Sequence, residues 1–489
     1  MKRRRLLIGS TAALSLPLAG CAGSDDDSDD DAEGAEDADD GTDDDPDDDA
    51  DDVEENLDHA RSGEGVPGRI DPLGHALADD SPFYTFGHVS PDGEWGVMGS
   101  FPTPHSDVAS TLVDLSDLAA PEVSHELDTA SAETRTNDVK FDALRDGIYY
   151  RSQEGDRRGI EVVDFGHEEG TPDDPAVVVE FDDVDTGVHK LSTHPEEPVI
   201  YLVDTNPQTD VAFVVVDVST PGAPEVVERV GPTGYCHDLE YDPGRNVLHA
   251  AIIAGPDAGY VTYDADDPYD PRVLGHFEYA DQPDYAELGE PGFELCHQAD
   301  YDPERDLAVI GDEKQGGIPG GKHVFDLGWD EGSLEDPQPI GFTHSPDARR
   351  MEPDETYWWT THFHDVVPMD EETLLVDGGY RQGAWVCNLT DPREPTPTER
   401  LATVEGASEL PGDGRNALGL ASPPFAWGAV YHEERDFVFV SDSLSGAYTA
   451  ELSAEEARGA EGRGPDGHYD LDAMLEDDPS AVADGNHGL

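Results

Sequence analysis

The sequence is poor in basic residues. Its 489 residues hold 28 Lys and Arg against 112 Asp and Glu, a formal charge of −84. A chain so short of cations cannot neutralise a phosphate backbone, which excludes nucleic acid as a partner. The same imbalance repels anionic lipid headgroups. Cysteine is scarce too, with 4 in the whole chain. Once Cys21 is set aside, as argued below, Cys236, Cys296 and Cys387 are an odd set and no disulfide framework. A domain without such staples must rest on its own core, and 36% apolar residues can build one. No apolar run reaches the roughly 20 residues that a spanning helix needs. Amphipathic helical periodicity is also missing, which argues against helical bundles. Gly-x-Ser-x-Gly, phosphate-loop, dinucleotide and His-Glu-x-x-His patterns are absent. A carboxylate pair for glycosidic chemistry cannot be singled out among so many acids.

What is present begins with an address. "MKRRRLLIGSTAALSLPLAGC" has a basic start, a short apolar stretch and small residues before Cys21. Arg3-Arg4-Arg5-Leu6-Leu7 resembles a twin-arginine export signal. Leu18-Ala19-Gly20-Cys21 resembles a lipobox, in which Cys21 becomes the lipidated first residue. Residues 22–60 are dominated by Asp and Glu, so like charges keep them extended as a disordered tether. Residues 61–455 are the expected folded domain, and residues 456–489 an acidic flexible tail. The expected location is the extracellular face of the cytoplasmic membrane, reached through the lipid on Cys21. The acidic balance resembles that of proteins from salt-loving archaea, where screening shortens the reach of self-repulsion.

Within residues 61–455 one pattern recurs. "HDLEYDPGRN" from His237 and "HQADYDPERD" from His297 each pair a short strand with a turn. Related units start at Thr85, Asn137, His189, His364 and Trp427. Each turn leads into an apolar or β-branched run, such as "GIYYRS", "VIYLVD" or "LAVIGD". A third segment follows in most units, with Asp or Asn among apolar residues: "LVDLSD", "VVDVST", "VCNLTD". Proline-rich loops then lead to an outer edge strand. Units of four strands repeated seven times predict an all-β, seven-bladed β-propeller of four-stranded antiparallel blades.

In a propeller the first strand of each blade lines the axis. The opening position reads Thr85, Asn137, His189, His237, His297, His364, Trp427. Neutral imidazoles converging on an axis suit a divalent transition metal, whether copper, zinc, iron or manganese. The candidate ligands are His189, His237, His297 and His364. His362 adds a fifth, because residues two apart on a strand share a face. The alternative is a scaffold role, in which the histidines bond backbone between blades. Cys236 and Cys296 precede their histidines on the opposite face and are expected to pack between blades. A disulfide between them is not expected, because equivalent points on adjacent blades exceed the roughly 7 Å Cα limit. Near His364, "DETYWWTTHFHDVVP" gathers aromatics beside two histidines. Trp358, Trp359 and Arg381 are the candidate ligand-binding residues there, on a face where long loops commonly build sites.

The stretch "VVVDVSTPGAPEVVERVGPTGYCHDLEYD" resembles the LVIVD-repeat family of propellers. The resemblance covers roughly residues 81 to 455. It is best in blades 4 and 6 and departs in blades 1, 5 and 7, with a long insertion after Gly328. The last unit is short of a strand, which a segment before Thr85 is placed to supply. The resemblance implies a propeller fold and an extracellular habit, with no defined activity. The expected function is a monomeric, surface-tethered binding protein for a surface protein, glycan or small ligand, with a metal site in the channel. The alternative is a metal-dependent oxidase or hydrolase, loosely similar to the methanethiol oxidase (selenium-binding) propellers in fold and histidine use.

Overall fold

A computed structural model describes residues 69–78, 82–103, 106–279, 295–313, 320–343, 360–370, 372–405 and 424–453. The expected export signal, tether and tail, with Trp358 and Trp359, lie outside these. Seven antiparallel sheets follow one another along the chain. Blade four is typical, with strands Tyr235–Asp242, Val247–Ala254, Gly259–Asp264 and Arg272–Glu278 from the axis outwards. Each innermost strand touches the innermost strand of the next blade, and the last touches the first, so the ring closes. No α-helix occurs among the described residues.

The N-terminal strand Ile70–Ala76 completes the seventh blade. It runs antiparallel to Gly446–Leu452, pairing Ile70 with Leu452 and Ala76 with Ala447. The last blade thus takes its outermost strand from the start of the domain, and opening the ring must break that ladder.

The repeated motifs have local causes. In blades one to six the Asp or Asn that ends the third strand caps the following turn by accepting the N–H two residues on. Asp114, Asp164, Asp217, Asp264, Asp326 and Asn388 make this bond at 2.7–3.0 Å. In blades two and five the loop is longer. There the carboxylate gathers several more N–H groups, reaching Glu169 from Asp164 and Gly332 from Asp326. The segment after Gly328 therefore folds as a capped loop and leads into the outer strand Gln338–Thr343.

The "D-P-x-R" turns join blades. Asp242 and Asp302 cap their own turns, and Arg245 and Arg305 pair with them at 2.7 and 2.6 Å. Each arginine then donates to carbonyls of the next blade: Arg245 to Asp302, Arg305 to Leu389 and Thr390. Between blades the core is apolar. Cys236, Leu239, Leu248 and Ala250 share one apolar cluster with Val199, Tyr201 and Phe213. The three described cysteines are buried and free.

Candidate metal centre

The innermost strands do not alternate cleanly where they meet the axis. The ladder slips between Cys236 and Asp238, Cys296 and Gln298, and Ala426 and Gly428. One extra residue is inserted at each place, and such bulges re-aim side chains. His237, His297 and Trp427 are those extra residues. Each therefore turns to the channel together with the residue after it.

Contacts between blades identify the equivalent residue in blade six. Asp138 accepts the N–H of Leu191, two residues past His189, and Asp238 accepts that of Ala299, two past His297. The Gln298 side chain bonds both backbone groups of His364, two past His362. The ring position in blade six is thus His362. His364 occupies the place of Leu191 and Ala299, where its Nδ1 accepts from Lys322 at 2.9 Å. Aligning the units on their turns puts the wrong histidine in the circle.

The imidazoles then follow one another around the axis, each tilted against the next. Ring centroids are 4.3 Å apart for His189 and His237, 3.9 Å for His237 and His297, and 4.6 Å for His297 and His362. Their hydrogen bonds differ. His189 Nδ1 donates to Glu154 at 2.9 Å, and its Nε2 accepts from the Asn137 amide at 3.0 Å. Both its nitrogens are committed. Burial alone would raise the Glu154 carboxyl, but Arg135 and His189 beside it hold it well below the usual range. His237 Nδ1 faces the His297 carbonyl at 2.8 Å, and His362 Nδ1 faces the Trp427 carbonyl. A carbonyl only accepts, so these Nδ1 atoms carry the proton and Nε2 keeps its lone pair. His297 Nδ1 has no hydrogen-bond partner.

One carboxylate joins them. Glu313 follows the second strand of blade five, Leu307–Asp312, and is fully buried. Its Oε2 lies 3.4 Å from His297 Nε2, and its Oε1 accepts from Tyr380 at 2.5 Å. His297, Glu313 and His362 each offer a ligand atom, and these atoms all lie within 4.8 Å of one another. Two imidazoles and a carboxylate form a ligand set that zinc and non-haem iron both use. Burial holds His237, His297 and His362 well below their ordinary pKa, helped by neighbouring imidazoles and lysines. They are neutral at pH 7, as ligands must be.

The cluster is braced on every side. Lys322, fully buried, donates to the His362 carbonyl at 2.5 Å and pairs with Asp377 at 2.8 Å. Asp377 accepts the His362 N–H at 3.2 Å. Tyr380 stacks on His362 with centroids 4.3 Å apart and holds a left-handed φ of 48°. Reciprocal backbone bonds to Ala426 at 2.8 and 2.9 Å pin it there. Phe425 and Trp427 continue the aromatic wall, at 4.5 Å from Tyr380 and 4.7 Å from His362. Arg381 is buried next in chain to Tyr380.

Sequence reasoning placed His297 and His362 at the axis but missed Glu313 and Tyr380. The signal for Glu313 was available. Glu154 and Glu313 sit at the same point of their blades, six residues after Ile148 and Leu307 respectively.

No family model matches this chain, and no curated protein does. Among solved structures it is similar to "a functionally unknown protein from Desulfotomaculum acetoxidans DSM 771", at 10% identity and a TM-score of 0.44. That match covers 64% of this chain and 85% of the other. The chain is an all-β, seven-bladed β-propeller with a buried His/His/Glu cluster able to coordinate a metal ion.

Proposed function

We propose that this chain is a metal-binding β-propeller, exported and tethered as a monomer to the outer face of the membrane through Cys21. The observation that carries the metal is the convergence of His297, Glu313 and His362 within 4.8 Å in a fully buried site. Two neutral imidazoles and one carboxylate would hold a divalent transition ion and leave it one net positive charge. The address rests on residues 1–60 alone. On this reading the propeller presents its metal centre and face to a surface protein, glycan or small ligand.

A second reading has one specific support. Three protein ligands leave coordination positions open, as catalytic sites do and closed structural sites do not. A metal so held can polarise a carbonyl or activate water, which suits the oxidase or hydrolase alternative.

The test is elemental analysis of the full-length protein, purified in high salt without chelator. The expected result is near-stoichiometric zinc, iron, copper or manganese in the parent. It should be lost in His297→Ala and Glu313→Gln and kept in His364→Ala. A metal-free parent that takes up no ion when offered one sinks the metal reading.

A further inference from the structure

The channel has a second end. Lys190 Nζ lies 3.7 Å from the Phe86 ring centroid and 4.1 Å from that of Phe363, and the two rings are 4.9 Å apart. This plug sits beneath the imidazoles. Gly428 makes room for it, since a Cβ there would lie 2.2 Å from the Phe86 ring. On the far side is a cavity of about 440 Å³. None of His297, Glu313 and His362 lines it.

Three residues past each ring position the strands present His88, Lys140, Ser192, Glu240, Asp300, Asp365 and Val430. All but Ser192 line the cavity. The charges there do not balance. Lys140 pairs with Glu240 at 3.2 Å, and Lys190 lies between Asp138 and Asp238 at 3.4 and 3.7 Å. Both lysines are thereby matched. Asp300 and Asp365, on neighbouring blades, make no ion pair within 4.0 Å among the described residues, and Lys140 and Lys322 act on them only from further away. Asp300 is 8% exposed, and its Oδ2 has no hydrogen-bond partner. Asp365 accepts the backbone N–H groups of Tyr431, at 2.8 Å, and of Val366. The Asp300 Oδ2 is itself buried from solvent, and burial together with the neighbouring Asp365 holds the Asp300 carboxyl well above its ordinary pKa; a cation at the cavity face of the pair would relieve both.

The chemistry of that ligand follows from spacing and lining. Among the described residues no three carboxylates at this end bring their oxygens within 4.8 Å of one another, so a protein-built cage for a bare ion is not formed there. The volume suits a small organic molecule. Phe86, Phe141, Tyr301 and Tyr431 supply apolar and π surface, which attracts cations with a hydrocarbon body. We propose that this cavity binds a small alkylammonium ion, its charged head against Asp300 and Asp365 and its carbon chain against Phe141, Tyr301 and Tyr431. The site is independent of the metal centre.

The test is calorimetric titration of the full-length protein with 1,4-diaminobutane in 1 M NaCl, which screens diffuse surface attraction. One saturable site is expected, weakened at least tenfold in Asp300→Asn and in Asp365→Asn. Glu122→Gln, which alters an exposed carboxylate on an outer strand, should bind as the parent does. Thermal unfolding of each variant checks its fold, and the two aspartate variants serve as alternates should one misfold. The proposal is overturned by the absence of saturable binding, or by binding that survives both substitutions. Equal loss in Glu122→Gln overturns it as well, and so does a preference of the same two residues for magnesium or calcium.

Discussion

Burial of the His297 and His362 imidazoles should make metal affinity at this cluster much less dependent on pH between 6.0 and 7.5 than ordinary histidines would. His297 and His362 are held well below their ordinary pKa, chiefly by burial. An ordinary histidine titrates near 6.5, so about a quarter is neutral at pH 6.0 and about nine-tenths at pH 7.5. A site needing two such imidazoles would lose about 14-fold in affinity across that interval. Here burial holds both rings well below that range, so the expected change is much smaller than about 14-fold. The assay is competition of the full-length protein against a zinc indicator of known affinity at both pH values and high salt. Repeating it with Glu313→Gln isolates the imidazoles from the carboxylate. A fall of tenfold or more that persists in that variant refutes the reasoning, because the histidines would then be competing with protons.

Four further outcomes follow from named contacts. Tyr380→Phe removes the hydroxyl that holds Glu313 and should weaken metal binding about 10–100-fold, as lost outer partners do; the indicator assay reads it. Asp377→Asn leaves Lys322 buried without its counter-charge and loosens His362, which should cost about 3–5 kcal/mol in denaturant unfolding. Asp365 has its carboxyl raised from 3.8 to about 6 by burial and by Glu240. Its ionisation therefore costs stability as pH climbs from 4 through 6. Asp365→Asn should stabilise the fold by on the order of 2 kcal/mol at pH 8 and by almost nothing at pH 4; destabilisation at pH 8 would count against this. Deleting residues 69–77 removes the strand paired with Gly446–Leu452. Calorimetry should then show a lower, broadened transition instead of one cooperative peak.

The architecture was legible because each blade repeats the same physical solution. Asp217 and Asn388 cap their turns through the same bond, and the Asp242 and Asp302 turns carry the same arginine tie. Such devices leave fixed letters at fixed offsets. The site was legible only in part. His364 drew attention because "HDVV" copies "HDLE", yet inter-blade bonds set the register and they place His362 at the axis. Glu313 carried one signal, the blade position it shares with Glu154, and that offset had to be noticed among 112 acids. Tyr380 was hidden because its left-handed backbone turns its ring onto a histidine 18 residues earlier in sequence. The bulges that bring consecutive residues to one face break the alternation on which strand reading relies.

Scaffold and ligand were posed as alternative roles for the axial histidines, and the hydrogen bonds dissolve that choice. An imidazole has two nitrogens. In His237 and His362 one of them, Nδ1–H, ties a blade to the carbonyl of the next. That tie selects the tautomer and leaves Nε2 basic, so the bond that closes the ring also prepares the ligand. His189 shows the same position with its second nitrogen already taken by Asn137. His297 departs the other way, with Nδ1 unpartnered and Nε2 toward Glu313. The metal cluster falls at the point in the ring where this pattern breaks and an acid enters. A bound ion there would satisfy the nitrogens that the scaffold leaves over.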